Sequence, residues 1–196
     1  LISKSSANLI ENVPCITFSE LCDFKNNIFI FSGANGSDIF SLISQNQFSL
    51  AEKTVENYLK YFGDNFNFEI QNINNQGEKD VADFIFSVSS HKGIPVVATN
   101  DVLFLKKSDY EAHDAKVCIN TGQILNDSSR ENPYKQEQYF KSAKEMHEIF
   151  EQFPEALSNS LEIAKQCNVN LNPKGYLLPN YPVPKKHDYD SLLRET

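Results

Sequence analysis

No stretch of the 196-residue sequence approaches the ~20 consecutive apolar residues that a membrane-spanning helix needs, so no span and no membrane partner are expected. Tryptophan is absent, and there is no C-x-x-C, H-x-H or H-E-x-x-H pair. The four cysteines, Cys15, Cys22, Cys118 and Cys167, are scattered. That pattern fits reduced, partly buried thiols in a cytoplasmic protein, not a disulfide framework or a zinc site. The four histidines, His91, His113, His147 and His187, are equally dispersed, so they do not make a self-contained metal site. The opening LISKSSANLIEN lacks the basic start and long apolar stretch of a signal peptide. Basic charge is also scarce, with 18 Lys+Arg against 26 Asp+Glu, a net charge of −8 and no dense basic tract. An independent nucleic-acid binder is not expected from that balance. There is no internal repeat.

What is present is enough for a globular core. Some 40% of residues are apolar, and the length suits one domain or one and a half. The first dozen residues read as the end of a helix closed by Pro14. Thr17 with Glu20 is a capping box that opens a short helix through Leu21. The run Ile28-Phe29-Ile30-Phe31 is apolar on both faces, as in a buried parallel strand. Gly36-Ser37-Asp38 starts a helix through Ile39, Leu42 and Ile43, and Ser49 is expected to cap another through Val55, Leu59 and Phe62. Phe66–Ile70 alternates as a strand, and Gly77 precedes an amphipathic helix with Val81, Phe84, Ile85 and Val88 on one face, ending at Lys92-Gly93. Ile94–Ala98 is the third strand.

Further along, Ser108 is expected to cap a helix to about Gly122, and Asn126 to Pro133 reads as a surface loop. Ser142 with Glu145 is a second capping box, and Pro154 opens a helix with Leu157, Leu161 and Ala164 on a shared face. Pro173, Gly175, Pro179, Pro182 and Pro184 mark an extended connector, and Asp188–Thr196 reads as the first turn of a new helix. The fold class predicted is α/β, with parallel strands near 27–32, 66–71 and 94–99 followed by a helical section.

The stretch IPVVATNDVLFLKKSDYEAHDAKVCINTGQILND, residues 94–127, carries a family likeness. It continues through Phe140-Lys141-Ser142 with Glu145-Met146, PEALSNSLEIAKQCNV (154–169) and GYLLPNYP (175–182). Ile30-Phe31-Ser32-Gly33 and Phe68-Glu69-Ile70 align less tightly. On these residues the sequence resembles the PHP (polymerase and histidinol phosphatase) domain of bacterial DNA polymerase III alpha subunits. The likeness covers essentially the whole chain and rests on the ordered run rather than on any one motif.

The resemblance implies a partial PHP-type (β/α) barrel in a much longer polymerase chain. Residues 1–171 would be the C-terminal part of the PHP domain, and 172–196 the connector and start of the palm. The half carrying the H-x-H motif would precede this segment, and the magnesium-binding palm aspartates would follow it. Magnesium is then a cofactor of the parent palm, and none is expected on this segment. Metal-binding members carry a TND-x-H pattern, a His after an E-x-Q strand and a Cys in S-G-C. This sequence keeps Asp101 in Thr99-Asn100-Asp101-Val102-Leu103, but the other positions are Leu103, Ile73 and Ala34. Those three side chains have no lone pair for a cation, so Asp101 is at most a vestigial metal ligand. The preferred reading of Asp101 is an acceptor for nearby backbone or a turn cap.

The remaining candidates favour structure over chemistry. His113 is expected to be packed and hydrogen-bonded on its helix. Lys106-Lys107 and Lys185-Lys186 are short pairs expected at the solvated surface, with phosphate contact as the lesser reading. Fifteen Phe and eight Tyr read as core, not as a stacking platform for single-stranded DNA.

By resemblance, the segment would be catalytically inactive alone and would support the palm. Its partners would be the rest of the polymerase chain, the proofreading exonuclease subunit and other replisome proteins, with DNA reached only through the parent chain. The alternative is a metal-dependent PHP phosphoesterase or 3′–5′ exonuclease. Half a barrel would leave sheet edges open, so either self-association or cover by extra helices is expected.

Overall fold

The computed structural model describes residues 1–127, 129–130, 132–169, 182–184 and 186–195. They fall into two compact units, Leu1–Gln166 and Cys167–Thr196. The chain begins with α1 (Ile2–Ala7) and then an antiparallel hairpin, β1 (Leu9–Ile10) and β2 (Val13–Pro14), with Ile10 opposite Val13. The helix read up to Pro14 therefore stops a turn and a half early. Glu11 and Asn12 take positive φ, 50° and 65°, and this left-handed pair makes the tight reversal that a two-residue hairpin needs. Leu9, Ile10 and Val13 are all exposed, so no buried face marks these strands in the sequence.

The capping signals place the next elements. α2 (Phe18–Cys22) starts on the Thr17/Glu20 box, in which Thr17 Oγ1 accepts from the Glu20 N–H and Glu20 accepts from the Thr17 N–H. β3 (Ile30–Phe31) leads to α3 (Asp38–Ser44), where Ser37 Oγ accepts from the Phe40 N–H at 3.1 Å. Gly33, at φ +73°, lets the chain turn there. A Cβ on it would lie 2.8 Å from the Ser37 Cβ. α4 (Phe48–Phe62) begins one residue before Ser49, with Gln47 at its N-cap and no side-chain cap, so Ser49 lies inside the helix. α4 buries Ala51, Val55 and Phe62. β4 (Phe66–Ile70), α5 (Glu78–Lys92) and β5 (Val96–Ala98) complete the α/β half.

β3, β4 and β5 form one parallel sheet with β4 in the middle, Ile30 opposite Phe66 and Phe68 opposite Val96. Parallel strands covered on both faces are apolar throughout, and all of β4 but the half-buried Glu69 is buried. Ile39 and Ile43 of α3, Val55 of α4 and Ile85 of α5 close over Phe66 and Phe68. Tyr58 stacks on Phe66 with ring centres 5.3 Å apart. Phe84, expected on the buried face of α5, packs against the core at its edge, partly buried, and also stacks on Phe48.

The helical section follows. A 3₁₀ turn at Lys107–Asp109 precedes α6 (Tyr110–Thr121), and Ser108 sits inside that turn rather than capping the helix. α7 (Ala143–Ile149) starts on the Ser142/Glu145 box. α8 (Pro154–Gln166) keeps only part of the expected face, since Leu157 packs against the core beside the buried Ala156 while Leu161 is 57% exposed and Ala164 is exposed. The reason lies in the sheet edge. Val96 and Ala98 turn their carbonyls away from β4, and α8 meets them with Asn159 Nδ2 at 2.8 Å and Ser160 Oγ at 2.9 Å. Two polar side chains thus satisfy an edge that would otherwise recruit another strand.

In the second unit, α9 (Tyr189–Glu195) begins where Asp188 Oδ1 accepts from the Ser191 N–H at 2.7 Å. Most of the expected connector, including Pro173, Gly175 and Pro179, and also Lys185, lies outside the described residues. Among the described residues no helix is long and apolar enough to cross a membrane.

Candidate functional site

Parallel strands deliver their C-terminal ends to one side, and the segments leaving β3, β4 and β5 meet there. Ala34 and Asn35 follow β3, Gln71, Ile73 and Asn75 follow β4, and Asp101 follows β5. Together with Glu69 and with Pro133, Tyr134 and Gln138 they line a cavity of about 360 Å³. This is the position at which open α/β sheets hold ligands. The fold brings three of the singled-out positions, Ala34, Ile73 and Asp101, to this one cavity. Leu103 is not among the lining residues. It is 38% exposed, and its backbone N–H donates to the Gln138 carbonyl at 2.9 Å.

The polar side chains of the cavity hold one another in place. Asp101 Oδ2 accepts from Gln138 Nε2 at 2.7 Å, so its partner is a side-chain amide and not the backbone. Gln138 is itself buried, and its Oε1 accepts from the Lys135 N–H at 2.6 Å. Glu69 Oε1 accepts from Thr99 Oγ1 at 2.5 Å and from Gln71 Nε2 at 3.1 Å. Ile73 is buried and turned into the fold, with its N–H donating to the Glu78 carboxylate. Burial pushes the Glu78 carboxyl above its ordinary range, against the backbone N–H donors of Ile73, Asn75 and Asn74, which pull it down.

The donor set does not fit a PHP-type metal cluster. Of the four positions that the resemblance assigns to ligands only Asp101 offers a donor atom, and the nearby carboxylate, Glu69, has one oxygen committed to Thr99 and Gln71. Among the described residues no three His, Cys, Asp or Glu side chains are grouped to hold a metal ion. Glu69, Gln71, Tyr134 and Gln138 were given no role by sequence reasoning. Nothing in the spacing points to Gln138, which arrives from 37 residues beyond Asp101.

The wall carrying Pro133 and Tyr134 departs from the expected surface loop. Arg130 is buried, and its guanidinium grips Asp114 of α6 by two contacts, Nη1 to Oδ1 at 2.7 Å and Nη2 to Oδ2 at 2.5 Å. The two side chains are 8% and 11% exposed. Asn132 Nδ2 donates to the same Asp114 Oδ1 and to the Tyr110 hydroxyl, and Asn132 Oδ1 accepts from the Tyr134 N–H. The guanidinium holds the Asp114 carboxyl below its ordinary range. His113 packs between the rings of Phe104 and Tyr134, as expected, but its buried Nδ1 finds no hydrogen-bond partner among the described residues, against the expected hydrogen bond.

A buried lysine lies beside this wall. Lys141 Nζ donates to the Glu137 carbonyl and to Asn100 Oδ1 and sits 4.5 Å over the Tyr139 ring. Burial pushes its ammonium down, and Glu137 opposes that shift. Lys107 is exposed, as expected of its pair, and bonds Glu137 at 2.5 Å. All four cysteines are free, with Cys118 buried and Cys167 exposed.

No family profile matches the chain. Curated proteins do. The chain is 37% identical over 173 residues to the DNA polymerase III subunit alpha of Xylella fastidiosa strain Temecula1, covering 88% of this chain and 14% of that protein. It is 32% identical over 196 residues to the protein of the same name from Pasteurella multocida, covering 100% of this chain and 17% of that one. Against the Escherichia coli K12 protein the figures are 33% over 181 residues, 92% and 16%. The chain thus spans about one-sixth to one-seventh of the length of the curated relatives it matches. It is a homologue of one segment of the bacterial DNA polymerase III alpha subunits.

Proposed function

We propose that this chain is a non-catalytic supporting segment of a replicative DNA-directed DNA polymerase. Residues 1–171 are its PHP region, the later part of a (β/α) barrel, and 172–196 lead into the palm. The observation that carries this reading is the end-to-end match, 85–100% of the chain, to polymerase alpha subunits. Nucleotidyl transfer belongs to the palm of the parent chain, where magnesium supplies the metal chemistry. Here the fold offers a rigid sheet, an edge closed by Asn159 and Ser160, and a strand-end cavity whose carboxylates are tied to amides and a hydroxyl. That is the composition of a scaffold that has kept the shape of a site after losing its ligands. The other contacts proposed for it are the proofreading exonuclease subunit and further replisome proteins, in a cytoplasmic setting.

The competing reading is a metal-dependent phosphoesterase or 3′–5′ exonuclease. Its support is the cavity itself, with Asp101 and Glu69 at the strand ends. Ala34, Ile73 and Leu103 oppose it, because a polynuclear site cannot lose three ligands and keep its affinity. A primer-extension assay on the purified chain, with magnesium and all four deoxynucleotides, tests the proposal. Extension at the no-enzyme level is expected, and extension above it overturns the reading.

A further inference from the structure

The strand-end cavity has a chemistry of its own, independent of the polymerase assignment. Its lining holds two carboxylates, several primary amides and one phenol, and no lysine or arginine. On each carboxylate one oxygen is taken by the protein. Glu69 Oε1 receives Thr99 and Gln71, and Asp101 Oδ2 receives Gln138. The other oxygens, Glu69 Oε2 and Asp101 Oδ1, receive no hydrogen bond from any described residue. The amide donors therefore orient the two carboxylates and leave an acceptor free on each. The exposed Asn35 and half-buried Asn75 add side-chain amides that bond to nothing else among the described residues, and Ala34 and Ile73 add apolar lining. A bare metal ion finds too few ligands in this arrangement. A planar or tetrahedral cation with several N–H donors finds two negative acceptors, amide carbonyl oxygens and a shaped, partly apolar wall.

We propose that this cavity is a binding site for a small organic cation of the guanidinium or alkylammonium class, held by Glu69 and Asp101. The same chemistry is available from a free amine or from an arginine side chain presented by a protein. The volume of about 360 Å³ accommodates a guanidinium with a short alkyl stem. The site differs from a PHP metal centre in using the amides that flank the lost ligand positions.

Isothermal titration of the full chain with methylguanidine, and with an arginine tripeptide blocked at both ends, tests the proposal. Asp101→Asn keeps an oxygen to accept from Gln138 and removes only the charge, and Glu69→Gln does the same beside Thr99. Saturable one-site binding of at least one probe is expected, weakened about tenfold or more by either substitution, with the melting temperature of the unliganded variants close to that of the parent. Tighter binding of the tripeptide assigns the site to a protein side chain, and equal or tighter binding of methylguanidine assigns it to a free cation. No saturable binding of either probe, binding that both variants retain, or stoichiometric uptake of zinc or manganese at micromolar concentration in competition with the probes overturns the proposal.

Discussion

Replacing Asp114 with Asn isolates the buried ion pair that fixes one wall of the cavity. The parent carboxylate accepts two guanidinium N–H groups and the Asn132 amide, with both charged side chains about nine-tenths buried. Asn offers an oxygen to Nη1 but turns its own NH₂ toward Nη2, so donor faces donor. The guanidinium then remains buried without a counter-charge, and its Nε already lacks an acceptor. Removing one partner of such a pair destabilises the fold, because the other charge keeps its place without its acceptor. The urea unfolding midpoint of the variant should fall by on the order of 1 M. Asp114→Leu with Arg130→Met removes the pair as a unit and should recover most of the loss.

The pH dependence has a fixed sign. Arg130 lowers the folded-state pKa of Asp114, so its contribution is fully present above the ordinary carboxyl range. It is lost as pH falls through the lowered folded-state value. Urea titrations from neutral pH downward should therefore give a shallower acid limb for Asp114→Asn than for the parent. A midpoint within about 0.3 M of the parent at neutral pH, or an unchanged acid limb, refutes the assignment of stability to this pair.

Other changes probe the remaining supports. Ser160→Ala with Asn159→Ala strips the cap from the Val96 and Ala98 carbonyls. It should destabilise the chain by about 1–3 kcal/mol for each unsatisfied group and raise self-association, read by light scattering, whereas a stable monomer contradicts the edge-cap role. Phe68→Ala empties a fully buried site on the central strand and should cost about 3–5 kcal/mol in urea unfolding, and a cost under about 1 kcal/mol would place Phe68 outside the core. The Ser142 contacts, joined by the Tyr139 hydroxyl, hold the Glu145 carboxyl at about 2. The stabilisation it gives α7 is present above the ordinary carboxyl value and disappears as pH falls toward 2, so a carboxyl carbon-13 titration with an ordinary midpoint would remove this cap.

What the sequence made legible was local. Three strands and the helices at Ser37, Gly77 and the two capping boxes are specified by residues within a few positions of one another and formed where read, except that the first strand is cut to Ile30–Phe31, with Phe31 exposed rather than buried, because it is an edge strand paired on one side only. The hairpin at 9–14 escaped because its apolar residues are exposed and its reversal uses Glu11-Asn12 rather than a glycine pair. The Asp114–Arg130 grip joins residues 16 apart with no periodicity linking them, so a buried arginine was hidden in a stretch that looked like solvated loop. α8 misled for a similar reason. Leu157 packs on the core as read, but Leu161 does not, because the polar pair Asn159 and Ser160 turns toward the sheet edge, which needs donors more than it needs methyl groups. At the site, Asp101, Ala34 and Ile73 were identified from motif positions and do share one cavity. Gln138 and Tyr134 were not, since the segment that brings them returns from the far end of α6.

The proposed supporting role leaves this segment without metal-dependent hydrolysis of its own. The decisive measurement is 3′–5′ degradation of a single-stranded oligonucleotide by the purified chain with manganese or zinc supplied. Degradation at the no-enzyme level is expected, for the parent and for Asp101→Asn alike. Degradation that the parent carries out and Asp101→Asn abolishes would contradict that role.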